Sequence, residues 1–121
     1  MGRRPALTLK RPKYGNRRTK LDGYSFASKA EARRYSELKL LVQARVIQGL
    51  ALQPRFRLVV GGRLIATYVG DFLYLEKLVP PFVGTDFVIE DVKGYRTREY
   101  KIKAKLFQAL YPLLTFREIP A

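Results

Sequence analysis

Two runs of alternating residues on either side of Gly61-Gly62 constrain the fold of this chain more than any other feature. Residues 53–60 predict a strand with one apolar and one largely basic face, which carry Phe56, Leu58 and Val60 and, opposite them, Arg55, Arg57 and Val59. The glycine pair predicts a hairpin turn, and residues 63–75 predict a second strand that is interrupted at Gly70. The chain is therefore expected to contain a β-sheet.

Helical patterns precede and follow these strands. Ser28 and Glu31 form a capping-box pattern, and the apolar residues after them recur at helical spacing. We therefore predict a first helix that begins near Ser28 and ends at Gly49, a residue type that commonly stops helices. Thr97 predicts the N-cap of a second helix, which runs to about Leu110 and ends before the next proline.

Two further strands complete the predicted fold. Residues 87–93 alternate in character, which places Asp91 and Lys93 on one face of a strand and Glu90 on the other. Residues 113–119 predict a short final strand. The predicted order is helix, three strands, helix and strand, which is an α/β fold with a small mixed β-sheet flanked by helices.

Residues 1–22 predict a flexible basic arm, and residues 23–121 predict a single folded domain. The first 20 positions contain no acid, and their eight basic side chains are Arg3, Arg4, Lys10, Arg11, Lys13, Arg17, Arg18 and Lys20. We expect these side chains to bind DNA phosphates. The alternative is a disordered tail that only increases solubility.

The charge balance of the whole chain indicates a polyanionic partner. There are 24 basic residues against 10 acidic ones, a net charge of +14, which favours nucleic acid over an anionic membrane surface. No apolar run is long enough to span a bilayer, and the N-terminus lacks the apolar segment of a signal peptide. We therefore expect a cytoplasmic protein with no membrane partner.

The absence of histidine and cysteine narrows the chemistry further. It excludes disulfides, thiolate metal sites, a Ser-His-Asp triad and a zinc site ligated by histidine. Any catalysis must use carboxylates, lysine, arginine, tyrosine, serine or threonine. A metal site would be lined by oxygen atoms, which favours Mg²⁺ or Mn²⁺ over zinc.

Asp71, Asp91 and Lys93 are the strongest catalytic candidates. Asp91 and Lys93 share one strand face, and a neighbouring strand can bring Asp71 beside them. Two carboxylates can hold a divalent cation for phosphodiester hydrolysis, and a lysine can stabilise the charge that develops. The alternative is that Asp71 ends a strand and the other two residues form a surface ion pair worth under about 1 kcal/mol.

Several segments resemble the PD-(D/E)XK nuclease superfamily, and more closely its small phage-encoded members related to archaeal-type Holliday junction resolvases. They span roughly residues 24–112 and are Ser28-Lys29-Ala30-Glu31, Gln53-Pro54, Tyr68-Val69-Gly70-Asp71-Phe72, Glu90-Asp91-Val92-Lys93-Gly94 and Tyr100-Lys101-Ile102-Lys103. The resemblance implies a core like that of restriction endonucleases. The chain departs from the family pattern in two places, because Gly70 replaces the eponymous proline and the third motif is D-x-K rather than E-x-K.

The resemblance also implies a role for each candidate residue. Asp71 and Asp91 would bind Mg²⁺ or Mn²⁺ with the backbone carbonyl of Val92 as a further ligand, and Lys93 would be the catalytic lysine. Glu31 would be the helix-borne acid that reaches the same metal, often through water. In the alternative interpretation Glu31 closes the capping box, for roughly 1 kcal/mol or less, and a carboxylate that does so cannot also reach the metal.

These features together predict a metal-dependent endonuclease, and the resemblance implies that it cleaves branched DNA. The resemblance implies a Holliday junction resolvase that makes paired symmetric nicks as a homodimer, and a dimer would match the two-fold symmetry of a four-way junction. Further DNA contacts are expected from Arg33, Arg55, Arg57 and Lys103. The alternatives are another PD-(D/E)XK nuclease that acts on flaps, mismatches or ends, and a non-catalytic basic protein that binds nucleic acid.

Overall fold

A mixed β-sheet with helices on both faces organises the computed structural model, which describes residues 18–77 and 85–121. In chain order the elements are β1 (Thr19–Leu21), β2 (Tyr24–Phe26), α1 (Lys29–Gln43), β3 (Ile47–Leu52), β4 (Arg55–Val60), β5 (Arg63–Val69), β6 (Phe72–Lys77), β7 (Thr85–Lys93), α2 (Arg98–Leu110) and β8 (Thr115–Pro120). The predicted α/β class is confirmed. The predicted order of elements lacked β1, β2 and β3, and it treated β5 and β6 as one strand interrupted at Gly70.

Strand β7 is an inner strand of the main sheet, whose order is β3-β6-β7-β8. The first three strands of that order pair antiparallel, whereas β8 pairs with β7 in parallel, and α2 supplies the crossover that a parallel pair needs. The pairing between β6 and β7 stops at Phe72 opposite Glu90, so residues 91–93 extend beyond the end of β6. The side of β7 that would face β6 is therefore open beside these last three residues.

Two apolar clusters pack against opposite faces of the sheet. The cluster on the α1 face contains Phe26, Ala32, Tyr35, Leu38, Ile47, Phe72, Tyr74, Val88 and Val92. The cluster on the other face joins the β4–β5 hairpin, β7 and α2 through Leu58, Tyr68, Ile89 and Phe107. Because successive residues of a strand point to opposite faces, Asp91 and Lys93 share the face of Ile89, and Glu90 shares the face of α1.

The end of α1 differs from the prediction. The helix ends at Gln43 rather than at Gly49, because Arg45 adopts a left-handed backbone conformation with φ of 62°. The closing hydrogen bonds are those of a Schellman motif and run from the N–H of Arg45 to the carbonyl of Val42 and from the N–H of Val46 to the carbonyl of Leu41. The chain after this turn forms β3, which contains Gly49.

The interruption predicted at Gly70 is confirmed, and it divides residues 63–75 into two strands that belong to different sheets. The first part, β5, pairs with β4 in a separate two-stranded sheet, while the second part, β6, belongs to the main sheet. The division is fixed by hydrogen bonds at 2.9, 3.0 and 2.9 Å, from Gln53 N–H to the Asp71 carbonyl, from Gly70 N–H to the Pro54 carbonyl and from Asp71 N–H to the Glu90 carbonyl. Asp71 therefore sits where the chain passes from one sheet to the other.

The predicted boundary of the basic arm at residue 22 is too late in the chain. Residues 19–21 form β1, which pairs with β2, so they belong to the folded part. The arm residues Arg3, Arg4, Lys10, Arg11, Lys13 and Arg17 lie outside the residues that the structure describes. Within residues 18–77 and 85–121, neither helix is long and apolar enough to cross a membrane.

Candidate active site

Asp71 lies at the open side of β7, immediately before β6 begins. Its backbone N–H donates to the carbonyl of Glu90 at 2.9 Å, and its Oδ2 accepts the N–H of Val92 at 2.7 Å. The carboxylate thus continues the hydrogen-bonding ladder between β6 and β7, and the residue is only 2% exposed. These two bonds hold Asp71 against the strand that carries Asp91.

Asp91 and Lys93 leave β7 on the same face, as predicted, and form an ion pair. The Nζ atom of Lys93 lies 3.1 Å from Oδ1 of Asp91. The hydroxyl of Tyr68, from β5, donates to Oδ2 of Asp91 at 2.5 Å. Asp91 is 1% exposed, so the interpretation of this pair as a solvated surface ion pair is wrong.

Helix α2 brings Tyr100 to Lys93. The helix has Thr97 as its N-cap, as predicted, and the Thr97 hydroxyl accepts the N–H of Tyr100 at 3.0 Å. The Nζ atom of Lys93 lies 4.6 Å from the centre of the Tyr100 ring, which is within the range of a cation–π contact. The ammonium group is therefore positioned by a carboxylate and by an aromatic ring.

The backbone of Val92 faces the same open side of β7 as Asp71. Its N–H donates to Asp71, and the N–H and carbonyl of one strand residue point to the same side. The carbonyl of Lys93 points the other way and accepts the N–H of Ala121 at 3.3 Å. The Val92 carbonyl is therefore directed to the side where Asp71 lies, as its predicted role as a metal ligand requires.

The negative charges of both aspartates raise the pKa values of two nearby tyrosines. Burial raises the pKa of Tyr68, and the charge of Asp91 raises it further, with a smaller contribution from Asp71. Burial is also the largest cause of the raised pKa of Tyr100. The charge of Asp91 and the hydrogen bond to Glu118 raise it further. Asp71 also raises the pKa of Tyr100. Because each tyrosine responds to both aspartates, the two carboxylates share one environment.

Glu31 lies in the first turn of α1 and is 5% exposed. The Ser28 hydroxyl accepts the N–H of Glu31 at 3.2 Å, and Oε1 of Glu31 accepts the N–H of Ala27 at 3.4 Å, a variant of the capping box. Within residues 18–77 and 85–121, no three acidic side chains form a group that could hold a metal. The structure brings the other three predicted catalytic residues together and does not add Glu31 to them as a third carboxylate ligand.

Glu90 faces away from the candidate active site, as predicted, and is completely buried at 0% exposure. Arg34 of α1 donates to its two carboxylate oxygens at 2.8 and 2.6 Å, and Tyr74 donates to it as well. The hydrogen bond to Glu90 raises the pKa of Arg34 above its usual range, and burial and the same carboxylate raise the pKa of Tyr74 to about 12. This cluster ties α1 to the strand that carries Asp91.

Gly70 stands where the resembled superfamily has a proline. A Cβ atom at this position would lie 3.0 Å from Cγ2 of Ile89 and 3.5 Å from Cε2 of Tyr68. Its N–H also donates to the carbonyl of Pro54 at 3.0 Å, a hydrogen bond that proline cannot make. Packing therefore accounts for a residue without a side chain, and the hydrogen bond accounts for the absence of proline.

The predicted DNA-binding residues differ in their surroundings. Arg18 is half-buried and donates to the Ser25 hydroxyl at 3.1 Å, and Lys103 pairs with Glu99 with 3.6 Å between Nζ and Oε2. The remaining described candidates are exposed and are Lys20, Arg33, Arg55 and Arg57. Their side chains are accessible to a phosphate backbone.

A basic groove beside the site was missed by the prediction, which favoured Lys103 over its neighbours. It has a volume of about 550 Å³ and is rimmed by Arg98, Lys101 and Lys105, none of which pairs with a carboxylate of the described residues. Tyr100 lines this groove and also contacts Lys93, so the groove adjoins the candidate active site. Arg98, Lys101 and Lys105 are three and four residues apart, a spacing that predicts a shared basic face of the helix.

Tyr68 was missed for a different reason. Its hydroxyl donates to the carboxylate of Asp91, which is 23 residues away in the sequence, and no local pattern predicts that contact. The fold creates it by packing the β4–β5 hairpin over β7.

The atoms gathered here fit a hard divalent cation. The carboxylates of Asp71 and Asp91 and the carbonyl of Val92 offer only oxygen, the donor that Mg²⁺ and Mn²⁺ prefer. Both carboxylates are nearly fully buried, and buried negative charge needs a cationic partner beside it. Lys93 supplies one positive charge at Asp91, and a divalent cation between the carboxylates would supply more.

Comparison with known proteins assigns the chain to a family. Residues 11–119 match the family described as "Protein of unknown function (DUF1064)", and because the match covers most of the chain, the chain belongs to that family. No curated protein and no solved structure matches the chain. The family description states no activity, so function has to be inferred from the site.

Proposed function

We propose that this member of the DUF1064 family is a Mg²⁺- or Mn²⁺-dependent endonuclease that cleaves branched DNA. The observation that carries this proposal is that the buried carboxylates of Asp71 and Asp91 and the partly exposed ammonium group of Lys93 come together at the end of β7. Carboxylates that hold a cation and a lysine that stabilises developing charge are what phosphodiester hydrolysis requires. The net charge of +14 supports a polyanionic substrate.

The carboxylates of Asp71 and Asp91 and the carbonyl of Val92 would hold the divalent cation. When bound, such a cation polarises the scissile phosphate and lowers the pKa of an attacking water molecule. The N–H of Val92 orients the Asp71 side chain, and the hydroxyl of Tyr68 orients that of Asp91. Ligands held in this way are preorganised, because their second hydrogen bonds fix them before the substrate arrives.

Lys93 would stabilise the negative charge that develops on the phosphate. Its ammonium group is held between Asp91 and the Tyr100 ring and does not have to be reoriented during the reaction. The side chain is 23% exposed, which leaves it accessible to a phosphate that approaches from solvent.

Exposed basic side chains lie on two elements of the fold near the site. Arg98, Lys101 and Lys105 rim the groove along α2, and Arg55 and Arg57 are exposed on β4. Both sets can neutralise DNA phosphates on the flanks of a cut, which would make binding strongly dependent on salt.

The choice of a four-way junction as the substrate depends on the resemblance to archaeal-type Holliday junction resolvases. A homodimer with one site per protomer would cut two strands symmetrically. The enzyme would act in the cytoplasm, which would be that of a host cell if the chain is phage-encoded. The basic residues of the predicted N-terminal arm would increase the affinity for DNA without determining which DNA structure is cleaved.

A panel of synthetic substrates tests this proposal. The purified protein is incubated with a four-way junction, a flap, a nicked duplex and a plain duplex of matched sequence, with Mg²⁺, with Mn²⁺ or with a chelator. We expect paired symmetric nicks in the junction with either metal and no cleavage with the chelator.

Each alternative has its own outcome in this panel. Preference for the flap or for free ends would indicate another PD-(D/E)XK nuclease, and equal cleavage of all substrates would contradict junction specificity. Binding of DNA without cleavage in either metal would contradict the nuclease proposal. That result would favour a non-catalytic nucleic-acid-binding protein.

A further inference from the structure

The tip of the β4–β5 hairpin exposes large apolar side chains that belong to neither of the two apolar clusters. The side chains are Val59, Val60, Leu64 and Ile65, which are 37%, 46%, 52% and 58% exposed. They flank the turn at Gly61-Gly62, where both glycines have positive φ as a two-residue hairpin turn requires. A register shift after Leu58 leaves Ile65 without a partner on β4. The tip therefore presents apolar side chains from both of its strands.

The base of the same hairpin is packed against α2 and β7 and contributes Tyr68 to the candidate active site. Leu58 is completely buried, and Phe56 packs against Phe107 of α2 with 4.9 Å between the ring centres. The Tyr111 hydroxyl donates to the carbonyl of Arg57 at 2.8 Å. At this base Tyr68 hydrogen-bonds Asp91. Because the base is anchored to the rest of the fold, the tip can keep its position when it contacts a bound partner.

The charge of the hairpin favours DNA as that partner. Between Gln53 and Gly70 the chain carries Arg55, Arg57 and Arg63 and no acidic residue. All three arginines are exposed, and none forms an ion pair with a carboxylate of the described part of the chain. A second copy of the hairpin would bring like charges together, whereas phosphates would complement them.

We propose that this tip is a wedge that unstacks DNA base pairs near the cleavage site, an inference that rests on the proposed cleavage of DNA. Apolar side chains inserted between base steps are a known way to kink and open a duplex. Arg55, Arg57 and Arg63 would hold the phosphates beside the opened step. Arg63 is five residues from Tyr68, a distance of about 17 Å along an extended strand, or about five stacked base pairs. The opened step would lie about that far from the cut.

Fluorescence of 2-aminopurine tests the wedge directly. The base analogue is placed in four-way junctions at successive positions on either side of the cut, and binding is measured without a divalent metal. We expect wild-type protein to increase the fluorescence most about five base pairs from the cut, where bases lose their stacking. A variant with Val60→Ser and Leu64→Ser should bind the junction but produce no such increase.

Cleavage kinetics give a second readout with matched controls. We expect the double variant to cleave the fully paired junction about tenfold more slowly, and to recover the wild-type rate on a junction with mismatches at the opened step. The control is Leu40→Ser with Leu113→Ser, two exposed leucines outside the hairpin. This control should behave like wild type in both assays.

The possible failures are distinguishable. Wild-type protein that cleaves the junction without a fluorescence increase would overturn the wedge and leave the proposed function intact. A double variant that changes from dimer to monomer with unchanged fluorescence would make the tip a self-association surface instead. Wild-type protein that neither binds nor cleaves any substrate would overturn the proposed function, and the wedge with it.

Discussion

A Lys93→Met variant is expected to cleave DNA about 100-fold to 1,000-fold more slowly than wild type while it still binds DNA and metal. Methionine keeps most of the unbranched side chain, which becomes one atom shorter, and removes its charge. The ammonium group of Lys93 is held 3.1 Å from Asp91 and against the Tyr100 ring, so a replacement leaves no other cation in that position. Single-turnover cleavage of a junction with Mg²⁺ measures the effect.

The control for this variant is Lys39→Met, which removes a lysine that pairs with Asp22 on the opposite side of the sheet. We expect it to cleave at the wild-type rate. Thermal melting distinguishes a catalytic from a structural role for Lys93. A wild-type cleavage rate in Lys93→Met would contradict the proposed role, and a large decrease in melting temperature would make Lys93 a structural residue.

An Arg34→Ala variant is expected to lower the free energy of unfolding by about 3–5 kcal/mol. Arg34 donates to both oxygens of Glu90, whose side chain is completely inaccessible to solvent. Without the guanidinium, a buried carboxylate would lose its cationic partner and keep the hydrogen bond from Tyr74. Urea unfolding followed by circular dichroism measures the loss.

Arg33→Ala is the matched control, because Arg33 is the preceding residue of the same helix and is exposed. Its substitution should change the free energy of unfolding by no more than about 0.5 kcal/mol. Equal and small effects of the two substitutions would show that the contacts of Glu90 with Arg34 contribute little to stability.

Two consecutive residues of β7, Glu90 and Asp91, point to opposite faces of the sheet and have different roles. Asp91 points to α2 and the candidate active site, and Glu90 points to α1 and a buried network. The backbone joins the two, because the carbonyl of Glu90 accepts the N–H of Asp71. We therefore expect that disturbing the Glu90 side also displaces Asp71, so that Arg34→Ala loses some activity along with stability.

Local patterns predicted the parts of the fold that depend on local rules. Strand alternation placed Asp91 and Lys93 on one face and Glu90 on the other, and Thr97 was correctly identified as an N-cap. The Gly61-Gly62 turn was predicted because a two-residue hairpin needs positive φ at both positions. In each case the residues that decide the structure are neighbours in the chain.

The prediction failed where local preference and structure disagree. Arg45 takes the left-handed conformation that usually signals glycine, so the end of α1 was missed and residues 47–49, the first half of β3, were read as helix. The break between β5 and β6 was also missed as a change of sheet, because it depends on hydrogen bonds from Gly70 to Pro54 and from Asp71 to Glu90.

Long-range contacts account for the rest of the site. Arg34 and Glu90 are 56 positions apart, and Tyr68 and Asp91 are 23 apart, so no sequence window contains either pair. Spacing alone also leaves two roles open for Glu31. Its contacts with Ser28 and Ala27 are those of a capping residue, a role that the capping-box pattern had offered as the alternative to metal binding.

Calorimetric titration with Mn²⁺ tests the central claim most directly, because it needs no DNA substrate. We expect wild-type protein to bind Mn²⁺ and an Asp71→Asn variant to lose that binding while it keeps its melting temperature, since asparagine can still accept the N–H of Val92. Glu99→Gln, which changes an exposed carboxylate on the outer side of α2, should bind Mn²⁺ like wild type. Absence of binding by wild-type protein, or unchanged binding by folded Asp71→Asn, would contradict a metal site at Asp71 and Asp91.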